Sequence, residues 1–414
     1  TAAAHEKPDV TKGSFDPDAS IGAYLLNLRK KGELSVTQEN ELRQILQARF
    51  HEEGTHGVIG LYKNLSYMQT MGSFVSALTQ IGDLAWTVYR SGPLRTATGI
   101  VKTVIGGKKR IKLGDIGIDQ IAHEFMADAG SGELLRKTFK AAGIESMDKL
   151  GKLTYINEVI SKYQRWAKSD KAPAEFEKRL QRVFGEEKQQ VMDDLKNGVL
   201  SEDVRMLAFS ELLDVQPVAL SEMPERYLNG GNGRIFYMLK TYQIKQIDAF
   251  RREVFREYHE GNKGEALKRM VKLAAALILM NGTADEIKNL LLNRKTDLSD
   301  MVVDNIARLF GLSKWTVYEM RNRGAAEAIM KMILPPGKFI DAAGRDLYKI
   351  YKVMAEDEKD FNLKDLEIWS TVPILGKPYY WWFGKGSELE KKRARTASKK
   401  EQEKRNIKRS RKKL

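Results

Sequence analysis

An all-α fold follows from three features of this 414-residue sequence: recurring helix-start and helix-stop signals, apolar residues at three- and four-residue spacing, and almost no strand-like alternation. The expected architecture is a multi-helix, bundle-like body with a long central amphipathic helix, a flexible N-terminal arm and a basic C-terminal tail.

The elements follow in order. Residues 1–20, with Pro8, Gly13 and Pro17, read as a flexible arm. Ser35-Val36-Thr37-Gln38 is a capping box opening a helix that includes Glu41 to Phe50. Pro93 lacks only an N–H that a first helical residue leaves unbonded, and its fixed φ already suits a helix, so a helix should run from there to Ile105 and stop at Gly106-Gly107. Arg110 to Leu113 alternates polar and apolar residues but has no strand to pair with. From Arg234 to Tyr258 the residues Phe236, Leu239, Gln243, Ile247, Phe250, Val254 and Tyr258 repeat with an eleven-residue rhythm. Eleven residues over three turns nearly match the natural helix period, so a straight helix of about 36 Å is expected, its stripe either core or intermolecular seam. Thr283-Ala284-Asp285-Glu286 looks like a fresh helix start after a break at Asn281-Gly282. The resulting division is an arm (1–20), a first helical region (21–215), a second (216–334), an aromatic-rich region (335–384) and a basic tail (385–414).

Composition narrows the function classes. A hydrophobic fraction of 42% is that of a folded protein, and the length suffices for two or three ordinary domains. Of the net charge of +15, Lys385 to Leu414 carries +10, from 14 basic and 4 acidic residues. Any attraction for polyanions is therefore concentrated in the tail. Cysteine is absent, which excludes disulfides, thiolate metal sites and cysteine nucleophiles. The start at Thr1 has no basic and apolar runs of a signal peptide. Leu273 to Met280 is far shorter than the roughly 20 apolar residues a bilayer span requires. Asn64 to Tyr89 holds one charge, Asp83, and is rich in small residues. They suit close helix packing in lipid or in a soluble core, and Gln69, Gln80 and Asp83 favour the soluble core.

The motifs that resemble catalytic ones fail on spacing or context. His51 and His56 are five residues apart and would point about 140° away from each other on a helix. Gly230, Gly231 and Gly233 follow no strand and precede no Gly-Lys-Ser/Thr, so they read as a turn. Glu145-Ser146 lacks the accompanying signatures of a lytic transglycosylase. No catalytic residue, cofactor or metal site is expected.

Three segments point to binding. Asn305 to Met320 has a helix-turn-helix pattern, with Gly311 at the turn, Ser313 as N-cap, and Lys314, Trp315, Tyr318 and Arg321 on the face a major groove would meet. The same pattern also joins any two short helices. Tyr379, Tyr380, Trp381, Trp382 and Phe383 form a run of five aromatics, suited either to anchoring an interface or to plugging the core. In the tail, Lys391, Lys392, Arg393, Arg395, Lys399, Lys400, Lys404, Arg405, Lys408, Arg409, Arg411, Lys412 and Lys413 are candidates for nucleic acid or an acidic partner.

Asn64-Leu65-Ser66-Tyr67-Met68, Phe74 to Ala85, Gly231 to Thr241 and Pro373 to Gly384 with its basic tail together resemble the C-terminal region of large internal virion proteins of tailed bacteriophages, the polyvalent or ejection proteins. The resemblance covers most of the chain from about Tyr62 onward and includes no catalytic motif. It implies a structural protein, not an enzyme, and a module of a longer chain, in keeping with a start at Thr1. It further implies packaging in the virion interior near the portal, followed by a part in a conduit for genome delivery across the host cell envelope. Partners would be further copies of itself, portal or other ejection proteins, genomic DNA through the tail, and the membrane after ejection. The alternative is a DNA-binding protein using the helix-turn-helix-like segment and the tail.

Overall fold

The computed structural model describes residues 21–50, 55, 57–107, 110–118, 131–169, 172–216, 228–237, 241–292, 345–346 and 366–384. Among these the fold is all-α, and the one strand-type pairing is an isolated parallel bridge between Ser73 and Ile374. The first helices are α1 (Ile21–Lys30), α2 (Val36–Phe50), α3 (Gly57–Met71), the short α4 (Phe74–Ala77), α5 (Leu84–Ser91) and α6 (Pro93–Ile105). Then come α7 (Ser131–Ala141), α8 (Ile144–Ala167), α9 (Ala174–Phe184), α10 (Lys188–Asn197) and α11 (Glu202–Leu213). The last are α12 (Thr241–Phe250), α13 (Arg256–His259), α14 (Lys263–Leu291) and α15 (Gly376–Trp382).

Local chemistry sets several of these boundaries. At α2 the Ser35 N–H donates to Gln38 Oε1 (2.9 Å) and the Gln38 N–H to Ser35 Oγ (3.2 Å), the reciprocal pair of a capping box. Helix α6 starts at Pro93 and ends at Gly106, whose φ of 80° is open to glycine but disfavoured for other residues. Arg110 to Leu113 forms no strand. Instead the Asn157 side-chain amide accepts from the Ile111 N–H and donates to the Ile111 carbonyl, both at 3.0 Å, which satisfies this backbone as a neighbouring strand would.

Helix α5 organises the body. Its residues Leu84 to Tyr89 are all buried, between α8 on one side and α14 on the other. One continuous core runs from Trp86 and Tyr89 through Tyr155, Ile156, Phe176, Leu195 and Leu207 to Phe250, Leu273 and Leu277. This core thus draws on helices before and after residue 216. A smaller core joins α3 to α7 through Tyr67, Met68, Leu135 and Phe139. The small-residue stretch from Asn64 to Tyr89 lies within these contacts, and no helix among the described residues is long and apolar enough to cross a membrane.

Two expectations need correction. The helix expected to run straight through Arg234 to Tyr258 is instead a 3-10 segment (Gly231–Tyr237), then α12, a π turn (Arg251–Phe255) and α13. The π turn bonds i→i+5 and takes up an extra residue, which rotates the faces before and after it relative to each other. Phe250 and Val254 are buried as the rhythm predicts, but Ile247 and Tyr258 are exposed, and Gln246, Ala249 and Glu257 take the inner positions. Likewise α14 does not break at Asn281-Gly282. It passes straight through, and the Thr283 hydroxyl donates back to the Leu279 carbonyl (2.7 Å) instead of capping a new helix. Burial of Asn281, Gly282 and Ala284 against the 3-10 turn Leu78–Asp83 outweighs the local propensity to stop.

Candidate functional site

Four of the five aromatics, Tyr379 to Trp382, lie in α15 with Phe383 as its C-cap, and the segment docks back on the body. Lys377 Nζ donates to the Thr70 carbonyl (2.8 Å) and Ser76 Oγ (2.7 Å), and the Ile374 N–H donates to the Gly72 carbonyl (2.6 Å). Trp382 Nε1 donates to the Leu291 carbonyl at the end of α14 (2.6 Å). Tyr379 packs on Trp369 and Phe383, with ring centroids 5.7 and 5.9 Å apart, and the Tyr380 and Trp381 rings lie 5.9 Å apart. Tyr379, Tyr380 and Trp381 are half-buried, whereas Trp382 and Phe383 remain exposed. The segment therefore ties α3 and α4 to α14 and still presents two rings outward. Ile374 takes a φ of 67°, a strained value for a β-branched residue, at the point where the chain turns onto this dock. Lys314, Trp315, Tyr318 and Arg321, and the basic tail residues from Lys391 to Lys413, lie outside the described residues.

A second site was not anticipated from the sequence. Helices α5, α8, α9, α11, α12, α13 and α14 and the π turn line an open cavity of about 460 Å³. Its wall is an ion-pair network. Arg179 Nε meets Glu211 Oε1 at 2.7 Å, where the Tyr163 hydroxyl also donates at 2.7 Å, and Arg179 Nη2 meets Asp214 Oδ2 at 2.8 Å. Arg252 Nη1 reaches Asp214 Oδ1 at 2.6 Å. Arg90 Nη2 meets Glu253 Oε1 at 2.6 Å, and the Tyr89 hydroxyl donates to the other oxygen of Glu253 at 3.0 Å. Arg269 joins Glu257 (3.2 Å), Glu265 (3.4 Å) and Glu175. Lys162 Nζ donates to the Arg90 carbonyl (2.8 Å) and lies 4.3 Å from the centre of the Trp166 ring, which packs with Tyr163 and Phe176.

The electrostatics keep most of these groups in fixed charge states. Burial works against the Glu253 carboxylate, but the Arg90 charge, the Tyr89 hydrogen bond and Arg269 outweigh it and hold its pKa below the usual range. Burial also opposes the charge on Arg90 and Arg179, and the neighbouring carboxylates more than compensate. Burial keeps Tyr89, Tyr155 and Tyr163 protonated far above the ordinary tyrosine range. Lys162 alone is poised near neutrality: burial, then Arg90 and Lys272, push it down to about 8. The arrangement suits holding a charged group more than moving a proton. Among the described residues no group of three or more His, Asp or Glu could hold a metal ion.

The network joins residues from Arg90 to Arg269, so no local motif spells it out. The legible signal was a charged residue on an apolar stripe. Glu211 falls in step with Val204, Leu207 and Ala208 on the buried face of α11, and Glu257 with Phe250 and Val254. Charges there need buried partners.

Comparison with protein-family models, with curated proteins and with solved structures finds no match.

Proposed function

We propose that this chain is a structural component of a tailed-bacteriophage particle, an internal protein held near the portal that helps form a conduit for genome delivery across the host envelope. The reading starts from the resemblance carried by the Asn64 to Met68, Phe74 to Ala85, Gly231 to Thr241 and Pro373 to Gly384 segments. The observation that carries it further is apolar surface left open on two helices. On α6, Leu94, Val101 and Ile105 are 83%, 55% and 78% exposed and share one face at seven- and four-residue spacing. On α14, Leu267, Val271, Ala275 and Leu279 are exposed in a row at four-residue intervals. Each of the Leu, Val and Ile side chains would gain up to roughly 1.5–3 kcal/mol on full burial, so the rows favour helix-to-helix assembly with other copies or with neighbouring virion proteins. Exposed Trp382 and Phe383 add aromatic anchors near the end of α14.

Sedimentation or mass photometry of the full chain, alone and with portal and ejection proteins, tests this. Assembly is expected, and Val271→Asp with Ile105→Asp should weaken it while leaving helical content intact. A strict monomer that binds no virion component would overturn the reading. If such a monomer also gave a sequence-preferring footprint on duplex DNA, the DNA-binding alternative would replace it.

A further inference from the structure

Helix α6 is turned inside out. Its two fully buried residues are Thr96 and Gly99, and of its large apolar side chains Ile100 alone packs on the core. Gly99 lies so close to α8 that an added Cβ would meet Glu158 Cγ at 2.6 Å. Leu94, Val101 and Ile105 point outward, with Val104 beside them at 71% exposure. Small and polar residues inward with branched aliphatic ones outward reverse the pattern of an ordinary surface helix, so it is the outer face that lacks its cover.

Charge narrows the choice of cover. From Pro93 to Lys112 the chain has six basic residues, Arg95, Lys102, Lys108, Lys109, Arg110 and Lys112, and no acidic one. Arg95 and Lys102 are exposed beside the apolar row, and neither side chain has an acidic partner among the described residues. The Arg95 charge also bears on Arg165 of α8, whose pKa is lowered by burial first and by Arg95 second. The complement lies on the same chain. From Gly185 to Asp203 there are six acidic residues, Glu186, Glu187, Asp193, Asp194, Glu202 and Asp203, against Lys188 and Lys196. None of the six is in an ion pair among the described residues. Val199 and Met206 are 48% and 52% exposed, and Glu202 and Met206 stand one turn apart on α11, so carboxylates and apolar surface lie together there as basic and apolar surface do on α6.

We propose that the outer face of α6 docks on the acidic start of α11 of a second copy. This rests on the assembly reading above and names its contact. Two different patches meet, so each copy keeps one of each kind free, and association runs head to tail into a ring or chain instead of stopping at a pair. A lipid surface fits α6 less well, because interfacial helices carry aromatic or leucine-rich apolar faces, and this helix has one leucine and no aromatic ring.

Sedimentation velocity of the full chain with charge-reversed variants is the test. The wild type should form species larger than a dimer that shrink as salt rises. Arg95→Glu/Lys102→Glu makes α6 acidic, and Glu202→Lys/Asp203→Lys makes the start of α11 basic, with circular dichroism confirming the fold of each. Either variant alone sets like charge against like and should weaken self-association about tenfold or more. Mixed in equal amounts, the two are complementary in both directions, and the larger species should return. A variant that associates like the wild type, or a mixture that does not recover, would overturn this contact and leave the assembly reading standing. A wild type that is monomeric by itself yet binds portal or ejection proteins would do the same, whereas one that binds neither itself nor a virion component would sink both. A monomer captured by vesicles of phosphatidylglycerol and phosphatidylethanolamine, but not after Arg95→Glu/Lys102→Glu, would give the α6 face to lipid and overturn the proposal.

Discussion

Lys162 is where a single residue links structure to pH. Its folded pKa of about 8 lies below the ordinary lysine value of 10.5, because burial comes first, Arg90 and Lys272 add repulsion, and Glu211 and Glu175 offset only part. Between those two values the unfolded chain binds the proton and the folded one does not, so stability rises with pH over that window. Below pH 8 both states are protonated and the folded state bears the full penalty, on the order of 3 kcal/mol. The raised pKa values of Tyr89, Tyr155 and Tyr163 act oppositely, but only above about pH 10, where unfolded tyrosine ionises. The clean interval is therefore pH 8 to 10. Thermal midpoints of the wild type should climb across it, and Lys162→Met should flatten that climb while leaving some slope from Lys272, which burial also depresses. An identical slope in the variant would mean that Lys162 titrates normally. None of this was legible in the sequence, where Lys162 is one of 70 basic residues, because its environment is assembled from helices far apart in the chain.

At the scale of single elements the sequence was most readable where signals are local. The capping box at Ser35 and the Pro93 start with its Gly106 stop both lie where their chemistry required. It was least readable where packing overrides local preference, as at Asn281-Gly282 and in the π turn after Phe250. Close approach of helices makes the same point in measurable form. A Cβ on Gly72 would collide with the Met68 carbonyl oxygen and come within 2.9 Å of Thr138 Cγ2, and the Gly72 carbonyl also receives the Ile374 N–H that docks the aromatic segment. Backbone cannot move aside as a side-chain tip can, so Gly72→Ala should destabilise by about 1–3 kcal/mol. Gly264, in the first turn of α14, has open space around its missing Cβ, and Gly264→Ala should be neutral or stabilise by up to about 1 kcal/mol. Urea denaturation of both variants checks the contrast. Equal midpoints would show that α3 and α7 can separate at no cost.

For the whole molecule, fold class and charge layout were legible while the functional reading rests on resemblance and on surface. An all-α body follows from spacing and caps alone, and the structure agrees. Which faces stay open does not follow from spacing, because Ile247 and Phe250 belong to the same apolar stripe and only one of them is buried. Charge is different, since it acts at a distance and needs no fold to be counted. Lys385 to Leu414 holds +10 of the +15, so deleting this segment should remove most long-range attraction for DNA or for an acidic virion partner. The observable is the slope of log affinity against log salt, whose magnitude drops by about 0.9 for each duplex phosphate the protein no longer neutralises. A reduction of several units is expected, with the helical signal of the body unchanged. If the slope survives the deletion, the tail only keeps the protein soluble and the attraction arises elsewhere. Replacing Lys314 and Arg321 in the full chain then locates it: loss of a sequence-preferring footprint would assign DNA reading to that segment, whereas binding with no sequence preference before and after the replacement would leave general electrostatics of the body as the source.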